Sequence, residues 1–159
     1  MGLFDKTNTS SGSSGKINSL IKDNFPDLEY SELKAGYFGA RIGSTAITIF
    51  VNDAFGDANN PILTVMGSVI FNARDDDKLY RFLAADCITS IFGSWGFENG
   101  DKKGTVNVYY KQHLILNDID STEFMESVAG VAETSDNNDE LIQEKFGGNR
   151  CVEQFGWEE

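Results

Sequence analysis

An α+β fold with a mostly antiparallel sheet is predicted by two features of the sequence. Apolar residues alternate with period two in extended runs, and these runs form two clusters separated by a segment of helical period. Clustered strands pair as hairpins, so the order α-β-β-β-α-β-β-α favours one five-stranded sheet packed with helices. The length of 159 residues suits a single domain of this kind.

The boundaries of that domain follow from composition. The Ser/Gly-rich stretch TNTSSGSSG has no apolar residue to bury, so residues 1–15 are predicted to form a flexible N-terminal tail. Residues 16–149 are predicted to form the domain. Residues 150–159 are acidic and aperiodic, which predicts a C-terminal tail.

The first half of the domain is predicted to contain one helix and three strands. A helix is expected over residues 16–24, because three apolar residues share one face and Pro26 follows. Extended runs then predict strands over residues 33–39, 44–52 and 61–73. Gly- and Asn-rich stretches supply the turns between them.

The middle helix is predicted over residues 75–92, where acidic residues occupy the first turn and face its unpaired N–H groups. Its two adjacent apolar stripes together are wider than one sheet face requires. Either the helix is deeply packed, or it also contacts a partner. For the second case, the stripe predicted to form a dimer interface consists of Tyr80, Ala84, Ile88 and Phe92.

The second half continues with strands predicted over residues 95–98 and 104–116. A capping pattern at Asp120 predicts the start of a last helical region. A break in that region is expected near Ser135, where a new helix can be capped. Gly147 stands where a left-handed residue ends a helix.

The charge balance argues against several classes of partner. Acidic residues outnumber basic ones 25 to 13, which gives a formal net charge of −12. Nucleic acids and anionic membranes need a Lys/Arg patch, and the sequence has no basic run. The expected partners are therefore protein or peptide segments, with a bias toward basic ones.

The two cysteines and the sequence of the N-terminus indicate a cytoplasmic protein. Cys87 and Cys151 belong to no CxxC motif or Cys/His cluster, so we expect two free thiols, no metal and no cofactor. No secretory start and no apolar run of about 18 residues is present.

The chemistry-bearing residues predict a protein that is not an enzyme. The sequence contains no phosphate loop, no dinucleotide-binding motif, no nucleophile elbow and no zinc-protease motif. His113, the one histidine, lies on the polar face of the 104–116 strand. The sequence gives it no orienting acid, so an ordinary strand histidine is favoured over a small enzyme that uses His113.

One face of the predicted sheet suits contact with a peptide. It is expected to carry Phe50, Met66, Ile70 and Tyr109, which combine aromatic, apolar and polar groups. An ordinary covered sheet explains the same residues, and the sequence leaves both interpretations open.

The second half of the chain resembles the YbjN-type family of type III secretion chaperone-like proteins. The resemblance rests on LYRFLAADCITSIFGSW, GTVNVYYKQHLIL and DSTEFMESVAGVAETSDNNDELIQEKFGG, and it spans roughly residues 16–149. It implies a small, acidic, cytosolic domain that shares the α-β-β-β-α-β-β-α order. It also implies peptide binding, frequent homodimers and no catalytic residues.

The leading hypothesis is therefore a non-enzymatic, chaperone-like module that binds peptide segments on a sheet face or edge. The alternative is a dimeric regulatory adaptor in bacterial signalling, formed through the middle helix.

Overall fold

The structure, a computed structural model, describes residues 11–52, 60–87, 90 and 93–158. These residues form four helices and six strands, so the predicted α+β class is confirmed and the predicted count of five strands is corrected to six. In chain order the elements are α1 (Ser11–Asn24), β1 (Tyr30–Lys34), β2 (Tyr37–Ile42), β3 (Thr45–Asn52), β4 (Ile62–Arg74), α2 (Asp77–Asp86), β5 (Ser94–Asn99), β6 (Thr105–Ile115), α3 (Ser121–Phe146) and α4 (Cys151–Phe155).

The six strands form one sheet in the order β1-β2-β3-β4-β6-β5. Every neighbouring pair is antiparallel, as the hairpin clusters of the sequence predicted. Within the described part of the chain, β1 and β5 are the two edges.

The helices α1, α2 and α3 pack on one side of this sheet, here named the helix face. Tyr30 of β1 donates a hydrogen bond to Asn18 of α1. Trp95 of β5 donates to the carboxylate of Asp86 in α2 at 2.6 Å. The buried residues of α3 and of the sheet then form one core cluster, which includes Ile49, Val65, Val108, Phe124 and Val131.

The additional strand comes from a hairpin that the sequence pattern concealed. The predicted strand over residues 33–39 is divided by a turn at Ala35 and Gly36, and the parts belong to β1 and β2. Gly36 has a φ of 75°, a conformation that glycine adopts without steric cost. The apolar residues on both sides continue the alternation, which made two strands look like one.

The last long helix is continuous, so the predicted break near Ser135 is wrong. Ser135 is fully buried and packs against Gly67 of β4, which has no side chain to separate helix from sheet. The capping prediction at Asp120 is confirmed, because its side chain accepts a hydrogen bond from the Glu123 N–H. Gly147 ends α3 with a φ of 72°.

Both predicted tails contain helical residues. Helix α1 begins at Ser11, within the segment that was predicted to be flexible, and α4 lies in the predicted C-terminal tail. Helix α4 is held by Cys151, whose Sγ accepts from the Ala46 N–H at 3.4 Å and donates to the Ser68 carbonyl at 3.2 Å. Burial raises the pKa of the Cys151 thiol to about 11, and both cysteines are free.

Candidate protein-binding surface

The side of the sheet opposite the helices is the candidate binding surface, here named the open face. Side chains alternate across each strand, so the strand residues between the helix-packed ones point to this side. Two rows of paired residues cross it at its centre. The first row is Lys34, Tyr37, Phe50, Thr64 and His113, and the second is Gly39, Thr48, Met66 and Lys111.

The aromatic residues of the first row form the floor of this surface. The rings of Tyr37 and Phe50 stack in parallel, with centroids 4.7 Å apart and planes 4° apart. The ammonium of Lys34 lies 3.9 Å from the centroid of the Tyr37 ring. Phe50 is only 8% exposed, so most of its ring lies within this floor.

Two exposed apolar residues border the open face. Leu33 is 66% exposed and lies across Gly39, where a Cβ atom would come within 2.9 Å of its Cδ1. Ile115 is 47% exposed and pairs with Ile62 near the end of β6. Exposed aliphatic side chains on a sheet face that no described long helix covers are candidates for burial against a partner.

Three of the four predicted peptide-contact residues share this surface. Phe50, Met66 and Tyr109 all belong to the open face, as their register shows. Ile70 does not: it is 1% exposed, pairs with Val108 and belongs to the core under the helices. The prediction for Ile70 is corrected accordingly.

The displacement of Ile70 has a local cause in the backbone of β4. The register of β4 against β6 shifts between Ser68 and Ile70, and again between Ile70 and Ala73. Such a bulge adds a residue to one strand and turns the following side chains to the other face. Asn72, with a φ of 58°, is the one described non-glycine residue in the left-handed region.

Sequence alternation alone overlooked the exposed border of the surface. Leu33 stands at the start of the predicted 33–39 strand, which the structure divides by a turn. The sequence pattern therefore could not show which face of the sheet Leu33 lies on. Ile115 shares the face of His113 by simple period two, and that signal was available in the sequence.

His113 lies on the open face with its Nδ1 atom 2.9 Å from the Thr64 hydroxyl. Partial burial, and then the charge of Lys111, lower the pKa of the imidazole below its usual value near 6.5. The ring is therefore neutral near pH 7. Its hydroxyl neighbour and its place in a cross-strand row are typical of a structural strand histidine.

Tyr109 is tied to the neighbouring strand. Its hydroxyl donates a hydrogen bond to the Glu98 carboxylate of β5. Burial, followed by that hydrogen bond and the Glu98 charge, raises the pKa of Tyr109 well above its usual value near 10. The phenol stays protonated, so it offers a polar but uncharged edge to the open face.

The stripe predicted as a dimer interface is only partly described. Tyr80 is half-buried, and its ring centroid lies 4.5 Å from that of Phe97 in β5. Ala84 is exposed, while Ile88 and Phe92 lie outside the described residues. Phe97 is 55% exposed on the edge strand, and the sequence pattern did not mark it as a site residue.

Two other features are absent from the described residues. Across residues 11–52, 60–87, 90 and 93–158, no three His, Cys, Asp or Glu side chains are grouped closely enough to bind a metal ion. Over the same ranges, no helix has the length and apolar character needed to span a membrane.

Comparison with known proteins identifies the type of fold that this chain has. No family model and no curated protein matches the chain by sequence. By structure, 81% of this chain matches 97% of a chain in the HopA1–SchA chaperone–effector complex, with a TM-score of 0.55 and 15% identity. It also matches 95% of a chain in the ExsC–ExsE complex, with 81% coverage of this chain, a TM-score of 0.58 and 15% identity. Over most of its length, the chain therefore has the type III secretion chaperone-like fold that the sequence predicted.

Proposed function

We propose that this protein is a non-enzymatic, chaperone-like module of the cytosol that binds an apolar segment of another protein on its open face. The observation that carries the proposal is the exposure of Leu33 and Ile115 on the side of the sheet opposite α1, α2 and α3. The edge strand β1 borders the same surface and offers a second way to hold an extended segment.

The likeness to chains of a chaperone–effector complex supports this proposal at the level of the fold. The mixture of side chains on the open face also suits it. The flexible side chain of Met66 adapts to differing apolar partners, while Thr48 supplies a partly exposed polar group between the strands.

The proposal predicts that Leu33→Asp abolishes most of the protein's capture of its partner. Burying the exposed part of a leucine side chain contributes about 1–2 kcal/mol, and a carboxylate at the same place adds a desolvation cost. Binding is therefore expected to fall by more than about tenfold. The measurement is affinity capture from native lysate, with quantitative mass spectrometry of the recovered proteins.

The matched control is Leu141→Asp, which makes the same change at a 37% exposed leucine of α3, on the helix side of the sheet. Proteins retained by wild type and Leu141→Asp but lost by Leu33→Asp support the proposal. Equal recovery by all three, with unchanged circular dichroism, contradicts it. Phe50 is unsuitable for this test, because a charge beneath the Tyr37 ring would also weaken the fold.

We also propose, as a second candidate, a regulatory adaptor that dimerises through α2 and the edge of β5. Phe97 favours it, because this aromatic residue is 55% exposed on an edge strand and lies beside Tyr80. Sedimentation velocity is expected to show a dimer that Phe97→Asp converts to a monomer. A wild-type protein that stays monomeric at high concentration removes this candidate.

A further inference from the structure

We infer that the segment held on the open face is apolar and acidic, the opposite of the basic partner favoured by the chain's net charge. This inference rests on the proposed function and specifies its partner. It follows from where the charges lie.

On the open face, the described strand residues carry more cations than carboxylates. Among the described strand residues, Lys34, Arg41 and Lys111 belong to it, and Glu98 is its one carboxylate. Glu98 accepts a hydrogen bond from Tyr109. In the whole chain acids outnumber bases 25 to 13, so these described strand residues reverse the charge balance of the molecule.

Many of the acidic side chains lie on the helices that pack against the opposite face of the sheet. The outer surface of α3 exposes Glu126, Glu133, Glu140 and Glu144. A packed helix axis lies about 10 Å from its sheet, and the outward side chains extend farther. Because the Debye length at physiological salt is about 8 Å, a segment on the open face is largely screened from these charges.

The C-terminal residues of the chain show what this surface accepts at one end. The Arg41 guanidinium lies 4.9 Å from the centroid of the Trp157 ring. The same side chain donates a hydrogen bond to the Glu158 carbonyl at 2.7 Å. An aromatic ring and a backbone carbonyl of the chain therefore already pack against a cation of this face.

The spacing of the two lysines defines the length of the segment. Lys34 lies in β1 and Lys111 in β6, four strand positions apart, which corresponds to roughly 19 Å across the sheet. An extended segment spans that distance with about six residues. The geometry favours one acidic residue near each end, with apolar residues between them over Leu33 and Met66.

The test uses two labelled peptides of about eight residues with identical apolar centres, one with glutamate at both ends and its twin with lysine. Fluorescence anisotropy with the full chain in 150 mM salt measures both affinities. We expect the glutamate peptide to bind about tenfold more tightly than its twin, because two attractive pairs replace two repulsive ones. Lys111→Glu should lower the affinity for the glutamate peptide at least about threefold. Lys22→Glu on α1 makes the same charge change and should leave that affinity unaltered.

The outcomes separate this inference from the proposed function. If the lysine twin binds equally or more tightly, and Leu33→Asp weakens both peptides, the open face binds segments but its preference for acids is wrong. An equal response to Lys111→Glu and Lys22→Glu also overturns the inference. If neither peptide binds, the proposed use of the open face fails together with the inference.

Discussion

Replacing Gly67 with valine is expected to destabilise the fold by about 3 kcal/mol. A Cβ atom at this position would lie 3.1 Å from the Ser135 Cβ and 3.2 Å from the Val131 Cγ1, and nearer still to the Ser135 hydroxyl. Helix α3 would have to move away from the centre of β4, where it covers the core. Urea unfolding followed by circular dichroism measures the loss.

The double variant Gly67→Ala with Ser135→Ala tests the cause of that loss. Gly67→Ala alone should cost about 1–2 kcal/mol, and removal of the Ser135 hydroxyl should restore most of it, because the nearest remaining atom is the Ser135 Cβ. Unchanged stability of Gly67→Val would show that α3 does not pack directly on β4 at this position.

Replacing Asn72 with valine is expected to lower the free energy of unfolding by about 3–5 kcal/mol. A β-branched residue is strained at a φ of 58°. The side-chain amide oxygen (Oδ1) of Asn72 also accepts hydrogen bonds from the N–H groups of Asp101 and Lys102 and from the Thr105 hydroxyl. These bonds hold the turn between β5 and β6, so both the bulge and the turn depend on this side chain.

Two further substitutions at this position separate strain from hydrogen bonding. Asn72→Gly relieves the strain but loses the three acceptor contacts, so about 1–3 kcal/mol should be lost. Asn72→Asp keeps an acceptor and tolerates the conformation, so it should cost least. Equal losses for glycine, aspartate and valine would contradict this account of the bulge.

Much of the fold could be predicted from the sequence, because period-two and helical patterns follow directly from which side chains are buried. Strands β3, β4 and β6 lie within one residue of their expected bounds, and Asp120 caps α3 as its side-chain chemistry predicted. The open face also follows from alternation, which is why Phe50, Met66 and Tyr109 share it.

The parts of the fold that were not predicted depend on turns, bulges and long-range contacts. These features either leave the alternation of apolar and polar residues intact or invert it. The Ala35-Gly36 turn continues the apolar pattern on both sides, so two strands read as one. The register shift between Ser68 and Ile70 moves Ile70 to the helix face, although its spacing from Met66 predicts the open face. Ser135 looked like a helix start, because serine is a common capping residue. Its contact with Gly67 joins residues far apart in sequence, so no local pattern shows that Ser135 is buried inside a continuous helix.

We propose that this protein acts through the open face of its sheet. Its most direct test is methyl NMR of protein labelled at the methionine ε-methyl groups, titrated with the glutamate-ended peptide or a captured partner. Met66 lies on the open face, whereas Met125 is a 38% exposed residue of α3 on the helix side. We expect the Met66 signal to shift or broaden on binding while the Met125 signal stays in place. Binding that moves Met125 and leaves Met66 unchanged would contradict it.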